Sequence, residues 1–292
     1  MSLIVLIVTI IGILAGGLVN TLADELPYRR KPALPTYPDG TPRPVLAWLG
    51  ITAFLFGLRT PPKSTNISRE KQEGRQRYYE GEPKLSWRYP ITEIATAILM
   101  VATYILMGNK PEVSSLQMII WLIYMAIFML INVIDIEHKL ILFVVMIPSA
   151  ILAIIDAVLT PIPLPPLQSA LTGGGLGFVI FFIFYQGGYL FTYIMGRARG
   201  ETIDTVAFGF GDVMMITLSG LILGFQGVIF VMFISVFFGS VGAIVYLALR
   251  LLVAGRYNLF TAIPYGPYIV AATIIVLLFP DEMSLLLLGY VR

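Results

Sequence analysis

The chain has 292 residues, of which 58% are hydrophobic and 12% charged, with a net charge of +2. A water-soluble domain of this length has too little interior to hide such an apolar excess, so the composition points to an integral membrane protein. The absence of cysteine excludes disulfides, thiolate zinc sites, iron–sulfur clusters and cysteine nucleophiles, and no zinc is expected. The single histidine, His138, disfavours histidine-rich metal sites and is the one base open to a Ser/His hydrolase. Chemistry, if present, falls to carboxylates.

Apolar stretches near the roughly 20 residues that cross a bilayer predict spans at 3–23, 91–108, 116–134, 141–159, 169–195, 206–225, 228–252 and 265–280. The expected fold class is an all-α polytopic membrane protein of about eight transmembrane helices. Its parts are a first helix over 1–23, a cytoplasmic loop subdomain over 24–90 and a seven-helix membrane core over 91–292. The first span lacks a basic leading region, and Gly16-Gly17 is not followed by a small-residue cleavage site, so it reads as a retained anchor. Of 19 Lys and Arg, 12 fall in 24–90. Lys139, Arg197, Arg199, Arg250 and Arg256 join them on the same side, leaving Lys110 and Arg292 opposite, a split of 17 to 2. The positive-inside bias then puts the long loop inside and both termini outside. Val45–Leu58 is apolar but only 14 residues long, which suits an interfacial or re-entrant segment better than a ninth span. The following polar stretch, with its charged run at 68–77, reads as a solvated face or as a docking surface for anionic headgroups or a charged substrate segment.

Ionisable groups inside a membrane are costly, and four acids lie in or at the ends of spans: Glu93, Asp135, Asp156 and Asp212. The topology places Asp135, ending the third span, and Asp212, opening the sixth, at one depth on the cytoplasmic face. Asp156 belongs near the outer end of the fourth span, where an interfacial or a hydrogen-bonded structural acid is the expected role. Glu93 is expected in the first turn of the second span, where the helix dipole favours a carboxylate. Two carboxylates sharing a low-dielectric site cannot both ionise. One keeps its proton and polarises a scissile carbonyl, while the other acts as base toward a water, which is the chemistry of aspartyl proteolysis. The plainer reading is that the two are unrelated acids at a water boundary. Asp212, however, follows Gly209-Phe210-Gly211, and with this composition Gly-x-Gly-Asp arises by chance only roughly 0.06 times per chain. Glycine there lets a backbone approach a second chain closely, although glycine also serves ordinary helix packing in membranes.

These residues resemble the type IV prepilin peptidases, which stand among the Gly-x-Gly-Asp membrane aspartyl proteases. Gly16-Gly17-Leu18-Val19-Asn20-Thr21 through Leu26-Pro27 is similar to that family's amino-terminal Gly-Ser-Phe-Leu-Asn-Val segment. Pro44–Leu49 resembles its Pro-Val-Leu-Ser-Trp-Leu, and Ser86-Trp87-Arg88-Tyr89-Pro90 with Glu93 resembles its entry to the second span. Ile134–His138 resembles the segment of the first catalytic aspartate, Gly209–Val213 that of the second, and Pro264-Tyr265-Gly266-Pro267-Tyr268 the family's Pro-Phe-Gly-Pro-Phe. The resemblance implies removal of the short basic leader from type IV prepilins or pseudopilins at the cytoplasmic face of a bacterial inner membrane. Asp135 and Asp212 would be the catalytic pair. Gly209, Gly211, Pro264, Gly266 and Pro267 would shape the active-site wall, although a helix-start Pro/Gly cluster is equally a cap or kink. Asn20, Arg88 and Glu93 would mark a substrate or methyl-transfer region, because many members also methylate the new amino terminus from S-adenosylmethionine. The implied partners are the prepilin helix and the lipid bilayer, with no nucleic acid. Acids beside the pair, Glu137, Glu201 and Asp204, would attract the basic leader.

Several positions depart from the family's pattern. The two Cys-x-x-Cys pairs of many members are absent, Met214 stands where Lys is usual after the second aspartate, Leu142 replaces a Pro, and Glu25 replaces the Arg before Leu-Pro. Gly173–Gly175 lies in an apolar span, where helix packing accounts for it better than nucleotide binding. A proton-coupled transporter would place its acids near the midplane and often show an internal repeat. A silent membrane scaffold or assembly factor on the same fold and an aspartyl protease for another membrane helix stay open.

Overall fold

A computed structural model of the chain describes residues 2–29, 34–61, 84–160, 165–199, 209–254 and 264–289. Among them the regular structure is helical, with no strand and one isolated bridge between Thr36 and Pro42. The chain divides into two compact units, Met1–Asn109 with Trp121–Val133, and Lys110–Ile120 with Ile134–Arg292.

In the first unit, α1 (Ser2–Arg29) packs against α3 (Arg88–Met107). Glycine allows the close approach: the space a Cβ would need at Gly12 is filled by Ala97 Cα, and at Gly16 by Glu93 Cα. Such small-residue contacts are how apolar helices associate where lipid is as apolar as the partner. Helix α1 runs six residues past its expected end at 23. Its extra turns present Asp24 to the Arg43 guanidinium at 3.2 Å, to Arg88, and to the Tyr89 hydroxyl at 2.9 Å. The apolar stretch 45–58 forms a single 3-10 turn, Val45–Ala47, and the short helix α2 (Gly50–Leu55). Six residues rise about 9 Å, far short of the roughly 30 Å hydrocarbon core, so this stretch is not a span. It is tied down by a small core of Tyr37, Ala47, Ala53, Leu85 and Tyr89, with Phe54 and Leu58 packed against it. The charged run 68–77 lies outside the described residues. The middle of α4 (Ser115–His138) also belongs to this unit and carries the buried Trp121, Tyr124 and Phe128.

The second unit holds the two ends of α4, then α5 (Phe143–Leu159), α6 (Leu167–Arg199), α7 (Phe210–Ala254), α8 (Gly266–Leu278) and α9 (Pro280–Leu288). Helices α6 and α7 meet through glycine. A Cβ at Gly174 would press on Leu221, one at Gly177 would lie 2.9 Å from the Ile216 carbonyl oxygen, and Gly173 abuts the backbone of Gly220 and Gly224. Close packing thus employs Gly173 and Gly174 of the triplet, while Gly175 faces open space. Helix α7 is broken at Gly224, whose φ of 71° and ψ of −172° suit a residue without Cβ. A Cβ there would lie 2.6 Å from Pro165 Cγ and 2.7 Å from Ser169 Oγ, and the following amide, Phe225 N–H, donates to that same Ser169 oxygen at 3.2 Å. The spans expected at 206–225 and 228–252 therefore fall in one helical run interrupted at Gly224. Helix α9 turns from α8 by 101°.

Among the described residues, five helices are long and apolar enough to cross a membrane: Leu3–Tyr28, Arg88–Met107, Ser115–His138, Leu167–Ile194 and Phe210–Arg250. The bent pair α8–α9 makes a sixth if taken as one span, and α5, with 17 residues, is shorter than these. Asp156, on α5, is 1% exposed and accepts from Gln117 Nε2 at 3.0 Å and from the Thr160 hydroxyl. It is the hydrogen-bonded structural acid its distance from the other acids suggested.

Candidate active site

The starts of α7 and α8 and the end of α4 converge within the second unit. Helix α4 ends in the left-handed region at Lys139, with φ 53°, whose amide donates to the Asp135 carbonyl at 2.9 Å. Asp135 therefore stands in the last turn, and it is 6% exposed. Asp212 is the third residue of α7, and its carboxylate reaches back to accept the Gly209 N–H at 3.1 Å, while its own N–H donates to the Gly209 carbonyl at 3.1 Å. That is half of a capping box, with a third-position acid satisfying the amide of the preceding cap. Glycine at the cap has no side chain to answer with, so one Asp212 oxygen performs the capping alone.

Asp135 acts electrostatically on Asp212, and Ile141 lies against both Gly211, next to Asp212, and Gly266, next to Asp135, although 77 residues separate the two acids in sequence. The Gly266 amide faces Asp135, and a Cβ at Gly266 would run into Asp135 Oδ2. Oδ2 itself is buried and accepts no well-formed hydrogen bond among the described residues. A buried carboxylate oxygen that the fold leaves unsatisfied is costly, and it is where a reacting group gains most from binding. Lys139 supplies positive charge near Asp135, and Tyr265 lies within the field of Asp212.

Of the expected wall residues, Gly209, Gly211 and Gly266 stand beside the acids. Pro267 occupies the first turn of α8 behind the cap Tyr265, where a missing N–H costs nothing, and Pro264 immediately precedes that cap. Sequence reasoning did not single out Ile141, Tyr265 or Ser235. The Tyr265 hydroxyl donates to Ser235 Oγ at 3.2 Å, and its ring lies over Gly239, where a Cβ would come within 2.7 Å. Tyr268, three residues on, sits likewise against Gly242. Two tyrosines seated on two equally spaced glycines fix the start of α8 against α7. Glu137 lies 4.0 Å from His138; Glu201 and Asp204 lie outside the described residues.

Asn20, Arg88 and Glu93 belong to the first unit and are engaged there. Glu93, fully buried, accepts the backbone amides of Gly50 and of Ile51, the latter at 2.8 Å. Because α3 starts at Arg88, Glu93 lies beyond its first turn, and the carboxylate caps α2 instead of its own helix. Asn20 Nδ2 donates to the Tyr89 carbonyl at 2.9 Å and to Glu93 at 3.5 Å, and Arg88 binds Asp24. Among the described residues no group of three or more histidine or acidic side chains is placed to share a metal ion.

Comparison with known proteins adds three findings. Residues 120–244 match the type IV leader peptidase family, a stretch that contains both aspartates and the Gly-x-Gly-Asp turn and ends before Pro264. A prepilin leader peptidase/N-methyltransferase of Pseudomonas putida is 25% identical over 211 residues, covering 71% of this chain and 65% of the relative's length. No solved structure matches the chain.

Proposed function

We propose, from the match of residues 120–244 to the type IV leader peptidase family, that the chain is a membrane aspartyl endopeptidase that removes the basic leader of prepilins or pseudopilins. The observation that carries this reading is the meeting of Asp135 and Asp212 at the ends of α4 and α7. One carboxylate takes a proton from water as its oxygen attacks the scissile carbonyl, and the protonated partner donates to the carbonyl oxygen. Collapse of the resulting diol breaks the C–N bond, and the proton gained by the base passes to the leaving amine. Gly209, where a Cβ would meet nothing closer than 3.5 Å, leaves room beside Asp212 for an extended chain, whereas the space beside Gly211 and Gly266 is filled by Ile141 and Asp135. The excess of Lys and Arg in 24–90 supports a cytoplasmic location for the reaction at a bacterial inner membrane.

The name of the Pseudomonas relative includes methyl transfer, which requires S-adenosylmethionine. Asn20, Arg88 and Glu93 as arranged here do not fit a methyl donor. Both Glu93 oxygens are taken by backbone amides, Arg88 by Asp24, and the space beside Gly17 by Leu49 and Glu93. No methyl-transfer step is derived from them.

The test is the intact mass of a purified prepilin incubated with this protein in lipid or detergent. Loss of the leader mass supports the reading, and an uncut substrate with well-folded enzyme removes it. A pair that works by sharing one proton also gives a bell-shaped pH–rate profile, with activity falling when both acids are charged and when both are neutral. A rate independent of pH across the accessible range would count against the shared proton.

A further inference from the structure

One side chain that the catalytic reading does not use, Ile141, lies against a glycine beside each aspartate, Gly211 next to Asp212 and Gly266 next to Asp135. Ile141 lies in the non-helical link between α4 and α5, two residues beyond the left-handed Lys139. A Cβ at Gly211 would lie 2.9 Å from Ile141 Cβ, 3.1 Å from Cγ1 and 3.2 Å from Cδ1. The same Cδ1 would lie 3.3 Å from a Cβ at Gly266, the glycine pressed on Asp135. Ile141 thus touches the turn that carries Asp212 and the helix start whose amide faces Asp135, while the chain ties it to α4 six residues after Asp135 itself.

Resting on the aspartyl-peptidase reading, we propose that Ile141 is a positioning residue, a spacer wedged between the starts of α7 and α8 that fixes how far apart the two carboxyls stand. Side chains in packed interiors do not leave such gaps unfilled, so shortening the wedge lets the two helix starts shift. A misplacement of about 1 Å at reacting groups costs up to roughly a hundredfold in rate. Two other groups act within the pair's surroundings, Lys139 near Asp135 and Tyr265 near Asp212, and neither is removed by a change at 141. The interaction between two carboxyls depends on their separation, so a moved spacer changes the gap between the acid and alkaline limbs of the pH–rate profile. A loss of stability alone lowers the amount of active enzyme and leaves those limbs in place.

The deciding variant is Ile141→Val, which deletes Cδ1, the atom shared between Gly211 and Gly266, and is mild enough to preserve the fold; Ile141→Ala extends the series. Rates on a purified prepilin are measured across pH for wild type and both variants, normalised to folded protein. The expected result is a kcat lowered about threefold to tenfold in Ile141→Val and further in Ile141→Ala, with KM within twofold and the gap between the limbs altered. Limbs and kcat that stay at wild-type values in Ile141→Val overturn the proposal even where Ile141→Ala fails to fold. Wild-type protein that cuts no prepilin overturns the peptidase reading and the spacer with it, whereas normal wild-type cleavage with unmoved variants overturns the spacer alone.

Discussion

Asp135→Asn and Asp212→Asn each abolish leader removal, with kcat reduced at least about a thousandfold while the protein stays folded. The asparagine substitution separates chemistry from structure at Asp212. An asparagine oxygen still accepts the Gly209 N–H that Asp212 accepts at 3.1 Å, so the cap of α7 survives. What is lost is the ability to take or give a proton. If Asp212 were only a capping acid, Asp212→Asn would cleave at nearly the wild-type rate. At Asp135 the change is also close to isosteric, and the buried Oδ2 beside Gly266 is replaced by an atom of similar size. The check is leader-mass loss over time beside the thermal midpoint of each variant. Cleavage surviving either substitution ends the two-aspartate mechanism, and a collapsed midpoint in both would mark the acids as structural.

The parts of this molecule readable from sequence are those encoded locally. Long apolar runs announce helices because a membrane demands about 20 apolar residues in a row, and the fold is all-helical as expected, although among the described residues five helices, or six with the bent pair, are long and apolar enough to cross, not the expected eight. The 14-residue stretch at 45–58 was correctly too short to be a span. The Gly224 break lies one residue inside the expected end of a span at 225, yet its surroundings, with Pro165 and Ser169 occupying the space of a Cβ and Ser169 accepting the Phe225 amide, are tertiary contacts with no local signature. Likewise Gly-x-Gly-Asp is legible as a motif, while its pairing with Asp135 across 77 residues depends on where three helix ends are brought together. Ile141 carried no signal at all. It is one apolar residue among many, and only the glycines facing it reveal its position. Tyr265 lay inside a recognised Pro/Gly cluster, but its bond to Ser235 joins residues 30 apart. Glu93 misled in a different way: near a helix start a carboxylate suggests its own helix dipole, whereas here it serves the start of α2.

That arrangement makes Glu93→Gln the most damaging conservative change outside the proposed catalytic pair. The carboxylate of Glu93 is fully buried, and its two oxygens separately accept the amides of Gly50 and Ile51. Glutamine keeps the shape but replaces one oxygen with an NH2 group. One backbone amide then faces a donor, loses its acceptor and is left buried without a partner. Leaving a buried donor unsatisfied costs about 1–3 kcal/mol, and bonds to a charged acceptor lie at the upper end of the range for hydrogen bonds. An expected destabilisation of about 3 kcal/mol is a large share of the total stability of a typical domain. The loss should be local at first. The amides of α2 exchange with deuterium faster in Glu93→Gln, and Trp48, whose indole N–H donates to the Arg43 carbonyl at 3.1 Å just ahead of α2, reports the loosening by fluorescence. Glu93→Ala removes both acceptors and the carboxylate that lies beside Gly17, so its effect is larger still. Exchange at Gly50 and Ile51 unchanged in Glu93→Gln would show that α2 holds its place without the carboxylate, through Ala53 and the core around Tyr37 and Tyr89 alone.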